Sequence, residues 1–132
     1  MLDKRNFYIN GKWVKPTNPN NFEVINPSTE ETCAVISLGS KEDTDIAVDA
    51  AKEALVNWKE SSKDERISLL EKLLSIYKKR YGEMADAISM EMGAPMDWAT
   101  DAQTASGESH LEDFILRLKE FNFNRKFNSK SN

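Results

Sequence analysis

The hydrophobic period of this chain changes once, near residue 40, and that change limits the architectures open to it. Ahead of it, short apolar runs alternate with turn residues. Phe7-Tyr8-Ile9 and Lys12-Trp13-Val14 flank Asn10-Gly11, the dipeptide that best accepts the two positive φ angles of a type I′ turn, so a tight hairpin is expected. Pro16, Asn18, Pro19, Asn20 and Asn21 form a loop before a second apolar stretch, Phe22 to Ile25, and Asn26-Pro27-Ser28-Thr29 turns the chain. Thr32 to Leu38 reads as the returning strand, with Cys33, Val35 and Ser37 on one face and Ala34, Ile36 and Leu38 on the other.

Beyond residue 40 the period is helical. Ser40 stands three residues before Asp43, a capping-box spacing, and Ile46, Ala47, Ala50, Ala51, Ala54, Leu55 and Trp58 follow on one face. Ser62 and Glu65 repeat the device ahead of Ile67, Leu70, Leu74, Tyr77, Tyr81, Met84 and Ile88. Leu69, Leu73 and Ile76 widen that stripe beyond the seam of a two-stranded coiled coil, so packing inside a globular unit is expected. Gly82 is expected to kink or divide the run. Pro95 suits the first turn of a further helix carrying Trp98, Ala102, Ala105, Leu111, Ile115 and Leu118. The expected class is α+β: β-hairpins over 1–39, three or four helices over 40–121, and a flexible tail or strand fragment over 122–132.

The 132 residues make one domain and exclude a closed (β/α)₈ barrel, which needs roughly 200 residues or more. Eighteen basic against 22 acidic side chains, net −4, offer no footprint for nucleic acid or an anionic membrane. No apolar run spans a bilayer, and MLDKRNFYIN has no secretory core, so a soluble, cytoplasmic protein is expected.

Reactive chemistry is sparse. The five glycines, at 11, 39, 82, 93 and 107, write no phosphate-binding fingerprint, and no cofactor site is expected in this chain. Cys33 and His110 lack partners at zinc-ligand spacing. A Cys33–His110 nucleophile pair is conceivable, but a strand cysteine and a helix-surface histidine are the expected reading. Glu91, Asp97 and Asp101 around Pro95 answer a helix dipole more readily than they perform acid–base work. Trp13, Trp58 and Trp98 are expected in the core rather than stacked on a ligand, and Arg125, Lys126 and Lys130 in a solvated tail.

Five short words in fixed order resemble the N-terminal segment of the aldehyde dehydrogenase superfamily: Ile9-Asn10-Gly11-Lys12-Trp13; Asn26-Pro27-Ser28-Thr29-Glu30-Glu31; the alanine-striped helix from Asp45 to Trp58; Arg66 through Leu70; and Glu91-Met92-Gly93-Ala94-Pro95, with alanine where the family usually has lysine. The resemblance implies NAD(P)-dependent oxidation of an aldehyde to a carboxylic acid in a whole enzyme, with NAD or NADP as its cofactor. It also implies that the oxyanion, cofactor, base and nucleophile motifs lie beyond the matched segment; Cys33 matches none of them. What carries over is a remnant monovalent-cation site, with carbonyls from Val24 and Ile25 and with Gln103 where an aspartate is usual. The expected role is scaffolding without activity in isolation, the chain being a shortened gene product or an excised piece. The rival expectation is an independent helical interaction module. Either way self-association is expected, most simply a two-fold dimer, with the stripe through Ile67, Leu74, Tyr77, Tyr81 and Ile88 losing part of its cover.

Overall fold

A computed structural model of the chain describes residues 1–124. The strands are β1 (Leu2–Lys4), β2 (Phe7–Ile9), β3 (Lys12–Val14), β4 (Asn21–Asn26) and β5 (Glu31–Ser37). Asn10 (φ 50°) and Gly11 (φ 73°) both adopt the left-handed conformation, so β2 and β3 pair in the register Phe7↔Val14, Tyr8↔Trp13, Ile9↔Lys12. This is the turn that Asn10-Gly11 dictates. β4 and β5 are antiparallel, with a bulge between Val24 and Ile25. β1 has no sequence signature of its own, yet it pairs in parallel with β5, Leu2 opposite Ala34, making a sheet of order β1-β5-β4. Because β5 is central, both its faces are partly covered: Ala34 and Ser37, on opposite faces, are each buried.

Both capping boxes close. In α1 (Lys41–Trp58) the Ser40 hydroxyl accepts from Asp43 N while the Asp43 carboxylate accepts from Ser40 N; Ser62 and Glu65 do the same for α2 (Lys63–Lys79). Each box satisfies two backbone donors that a helix start leaves free. α2 ends at Arg80 (φ −105°, ψ 18°), and α3 (Tyr81–Met92) starts at once, so the division falls two residues ahead of Gly82. Gly93 (φ 68°) ends α3 in the left-handed conformation. Pro95 precedes α4 (Met96–Trp98), which runs through a π-helical stretch, Ala99–Thr104, into α5 (Ala105–Glu120).

The chain from Met96 onward is therefore a helix with a π-bulge, not the regular helix its spacing suggests. Two local groups favour the widening: Thr100 Oγ1 donates to Met96 O at 2.7 Å, and Ser106 Oγ to Ala102 O at 2.8 Å, drawing carbonyls away from the helix ladder. Two tyrosines then serve carbonyls of the bulge, Tyr81 Oη donating to Thr100 O (2.7 Å) and Tyr77 Oη to Thr104 O (2.9 Å).

α2 and α5 pack antiparallel, stitched by Lys78 to Glu108 (3.1 Å) and Glu112 (2.6 Å) and by Lys119 to Glu71 (2.7 Å). The stripe Ile67, Leu70, Leu74, Tyr77 and Tyr81 is half-buried, so it is the covered one. Leu69, Leu73 and Ile76 form the more exposed apolar face of α2. The core is thin: among the described residues the buried hydrophobic side chains are Ala34, Ala85, Ala99 and Ile115.

The tryptophans are not in it. Trp13 is 70% exposed and pairs across the hairpin with Tyr8, ring centroids 5.2 Å apart. Trp98 is exposed, and Trp58 is a platform for Arg66, whose guanidinium lies 5.5 Å from the ring centroid and hydrogen-bonds Trp58 O and Ser61 Oγ. Their apolar stripes are real, but among the described residues none of the three rings is buried. Residues 125–132, with Arg125, Lys126, Lys130 and most of the expected tail, lie outside the described residues. No helix among the described residues is long and apolar enough to cross a membrane.

Candidate functional site

The polar turn Asn26-Pro27-Ser28 builds itself. Asn26 Oδ1 accepts from Ser28 N at 2.9 Å, and Asn26 O accepts from Glu30 N at 2.8 Å, while Glu30 takes a left-handed φ of 59°. The helix terminus at Gly93 sits on this turn: a Cβ on Gly93 would lie 2.8 Å from both Pro27 Cγ and Ser28 Oγ. Ser28 Oγ donates to Gly93 O at 3.3 Å, and Ser89 Oγ to Ala94 O at 2.8 Å. Thus Asn26-Pro27-Ser28 and Glu91-Met92-Gly93-Ala94-Pro95, 65 residues apart, form one junction between sheet and helices. Sequence reading found both words but not their contact; the signal available was a glycine at a helix end and a proline turn.

The expected cation ligands flank this junction. Val24 and Ile25 stand on either side of the β4 bulge, and α3 touches both β4 and the π-helical stretch that carries Gln103. Val24 O already accepts from Cys33 Sγ at 3.3 Å. Gln103 Oε1 and, beside it, Thr104 Oγ1 are buried without a hydrogen-bond partner among the described residues; Gln103 Nε2 reaches Met92 Sδ at 3.9 Å. The candidate donors are three neutral oxygens, of which Gln103 Oε1 is unpartnered among the described residues and Val24 O already accepts from Cys33. Among the described residues no cluster of three or more His, Cys, Asp or Glu could hold a metal.

No reactive pair forms elsewhere. Cys33 is half-buried in β5 with its thiol on Val24 O, His110 is exposed on α5, and no hydrogen bond joins them among the described residues. Glu91, Asp97 and Asp101 are exposed, Asp97 Oδ1 accepting from Trp98 N as a local dipole answer. The most perturbed inner carboxylate is Asp43, 5% exposed, whose Oδ1 accepts from Thr17 N (2.8 Å) and Oδ2 from Ser40 N (2.9 Å). These backbone donors hold it down at about 2, from 3.8, and tie the 15–20 loop to α1. Asp43 is thus a structural anion. A depression of about 520 Å³ lies among Asp3, Arg5, Lys15 and Pro19, away from the junction; the Asp3 carboxylate there is held at about 2 by its hydrogen bonds with Arg5.

The aldehyde dehydrogenase family model matches residues 13–131. An aldehyde dehydrogenase of Bartonella henselae is 54% identical, with a TM-score of 0.96 over 99% of this chain and 28% of that one. Aldehyde dehydrogenase C of Pseudomonas syringae, solved with NAD+ and octanal, is 33% identical, TM-score 0.91, over 94% of this chain and 26% of that one. The 3-succinoylsemialdehyde-pyridine dehydrogenase of a Pseudomonas species is 41% identical over 124 residues, 93% of this chain and 26% of its own length. The chain spans about a quarter of the length of the curated relatives it matches, and the quarter is their N-terminal part. The family match and the fold agree, and the chain belongs to the aldehyde dehydrogenase family.

Proposed function

We propose that this chain supplies the N-terminal scaffold of an enzyme that oxidises an aldehyde to a carboxylic acid with NAD or NADP, and that alone it neither catalyses the reaction nor binds the dinucleotide. The observation behind this reading is the junction itself: Gly93 packs on Pro27 and Ser28 and ties the sheet to α3. The nicotinamide, when bound to the whole enzyme, accepts the hydride that the aldehyde loses. This chain's own residues would do positional work, Pro27, Ser28 and Gly93 fixing the sheet to α3 and Tyr77 and Tyr81 fixing the bulge before α5. The neighbour solved with NAD+ and octanal supports the cofactor class.

The same reading keeps Val24 O, Ile25 O and Gln103 Oε1 as the vestige of a monovalent-cation site, weakened because an amide oxygen replaces a carboxylate. Titration calorimetry of the chain with NAD and with NADP tests the proposal. No heat of binding is expected up to millimolar ligand; micromolar affinity for either would place a cofactor site in this segment and overturn it.

A further inference from the structure

The turn that closes the first hairpin holds a reactive pair. In an Asn-Gly sequence the backbone nitrogen of the glycine can reach the asparagine Cγ with no side chain in its way. Among the asparagines of this chain Asn10 alone precedes glycine. Asn18 and Asn26 precede proline, whose nitrogen carries no proton, and Asn6, Asn21 and Asn57 precede an aromatic ring. The structure leaves the pair free. Asn10 and Gly11 are both exposed, a Cβ on Gly11 would meet nothing within 4 Å, and among the described residues no hydrogen bond engages the Asn10 side chain or the Gly11 N–H.

Ring closure requires the Asn10 backbone to rotate until the Gly11 nitrogen faces Cγ. The closed turn resists that rotation, because the pairing of β2 with β3 pins both residues at positive φ. The pairing itself is weakly held. β2 and β3 have three residues each and form a sheet of their own, and an isolated two-stranded hairpin is marginal in water. Its cross-strand aromatic pair, Tyr8 and Trp13, is 63% and 70% exposed. Such an element opens locally while the rest of a chain stays folded.

We propose that Asn10 is a deamidation site and that opening of the β2–β3 hairpin sets its rate. The Gly11 nitrogen gives up its proton and forms a bond to Asn10 Cγ; the side-chain nitrogen leaves as ammonia, carrying that proton, and a succinimide ring closes. Water then opens the ring at either carbonyl, to aspartate or to isoaspartate. The exchange is one water in and one ammonia out, with no change of oxidation state. Both products put a negative charge at the hairpin tip, beside a depression of about 320 Å³ lined by Tyr8, Asn10, Gly11, Ala47, Ala50 and Ala54. Isoaspartate also adds a methylene to the main chain, which a two-residue turn cannot accommodate in the same register. The claim is independent of the scaffold reading, whose test is dinucleotide binding.

Incubated in mildly alkaline buffer, the 132-residue chain should release ammonia, and peptide mapping by mass spectrometry should find aspartate and isoaspartate at position 10 ahead of change at any other asparagine. Asn128, which precedes serine, is the competing position. Trp13→Ala should speed the reaction roughly two- to tenfold, the factor by which losing a cross-strand aromatic pair favours the open hairpin. Far-UV circular dichroism should keep its helical signal, because the ring is exposed. Tyr8→Ala removes the other ring of the pair and gives the reading should Trp13→Ala lose helix. An Asn10 still intact when Asn128 or another asparagine has reacted overturns the proposal. So does a rate at Asn10 that neither ring variant raises.

Discussion

Gly107→Ala and Gly82→Ala should shift stability in opposite directions, although both replace a helical glycine. In an open helix the change to alanine stabilises by about 0.5–1 kcal/mol. Gly82 meets that condition: no atom lies within 4 Å of an added Cβ, and its φ is outside the left-handed region. Gly107 lies against Tyr77, where an added Cβ would run into the hydroxyl and stand 2.9 Å from Cζ. The ring would have to move, and its hydroxyl is bonded to Thr104 O, in a residue with no exposed surface. Losing that bond costs about 1 kcal/mol and leaving the carbonyl unpaired adds to it; the overpacking itself costs about 1–3 kcal/mol. The helix gain offsets only part of this, so Gly107→Ala should destabilise by about 2 kcal/mol, placing the two variants about 3 kcal/mol apart. Urea unfolding followed by circular dichroism measures both, at one fixed protein concentration because association adds to apparent stability. Tyr77→Phe should reduce the cost of Gly107→Ala, since it removes the nearest clashing atom. A Gly107→Ala chain as stable as the wild type would mean that Tyr77 does not clamp the π-bulge.

Gly93→Ala should destabilise by about 2–4 kcal/mol, because it combines a left-handed φ with a Cβ 2.8 Å from Pro27 and Ser28; a thermal melt reads it, and a loss no larger than that of an exposed substitution would dismiss the junction. Asp43 is held at about 2 in the folded chain against 3.8 ordinarily, so the stability it confers is complete above pH 4 and fades as the pH falls from 3.8 toward 2. Urea midpoints between pH 2 and 6 should follow that fall in the wild type and flatten in Asp43→Asn; Asp3 contributes little, being solvent-screened. Cys33, half-buried with its thiol on Val24 O, should alkylate far more slowly than a free thiol at neutral pH; rapid labelling that His110→Ala abolishes would instead establish a Cys–His pair.

The parts of the fold legible in the sequence are those whose cause is local. Asn10-Gly11 forces its turn by the φ angles it tolerates, and Ser40 with Asp43, like Ser62 with Glu65, closes a helix start within four residues. Where the cause is remote, spacing misleads. The run after Pro95 has good helical periodicity, but Tyr77 and Tyr81, about twenty residues or more upstream, hold it as a π-bulge through carbonyls that no pattern of apolar residues reports. α2 is apolar over about half its circumference. Sequence alone therefore announces two candidate faces without saying which one α5 covers; the ion pairs of Lys78 and Glu71 with α5 settle it.

The candidate site divides in the same way. Asn26-Pro27 and Gly93 are each readable as punctuation, a turn and a helix stop, and each would be explained if the other were absent. Only their meeting explains why Gly93 must be glycine twice over, once for its φ of 68° and once because Pro27 and Ser28 occupy the space of its Cβ. The three tryptophans make the converse case. Their stripes predict burial, since such rings seek cover, and the prediction fails: Trp13 and Trp98 are 70% and 61% exposed, and Trp58 carries the Arg66 guanidinium on its face. Helical or strand periodicity thus reports which face is apolar, and whether another element packs on that face is decided elsewhere in the fold.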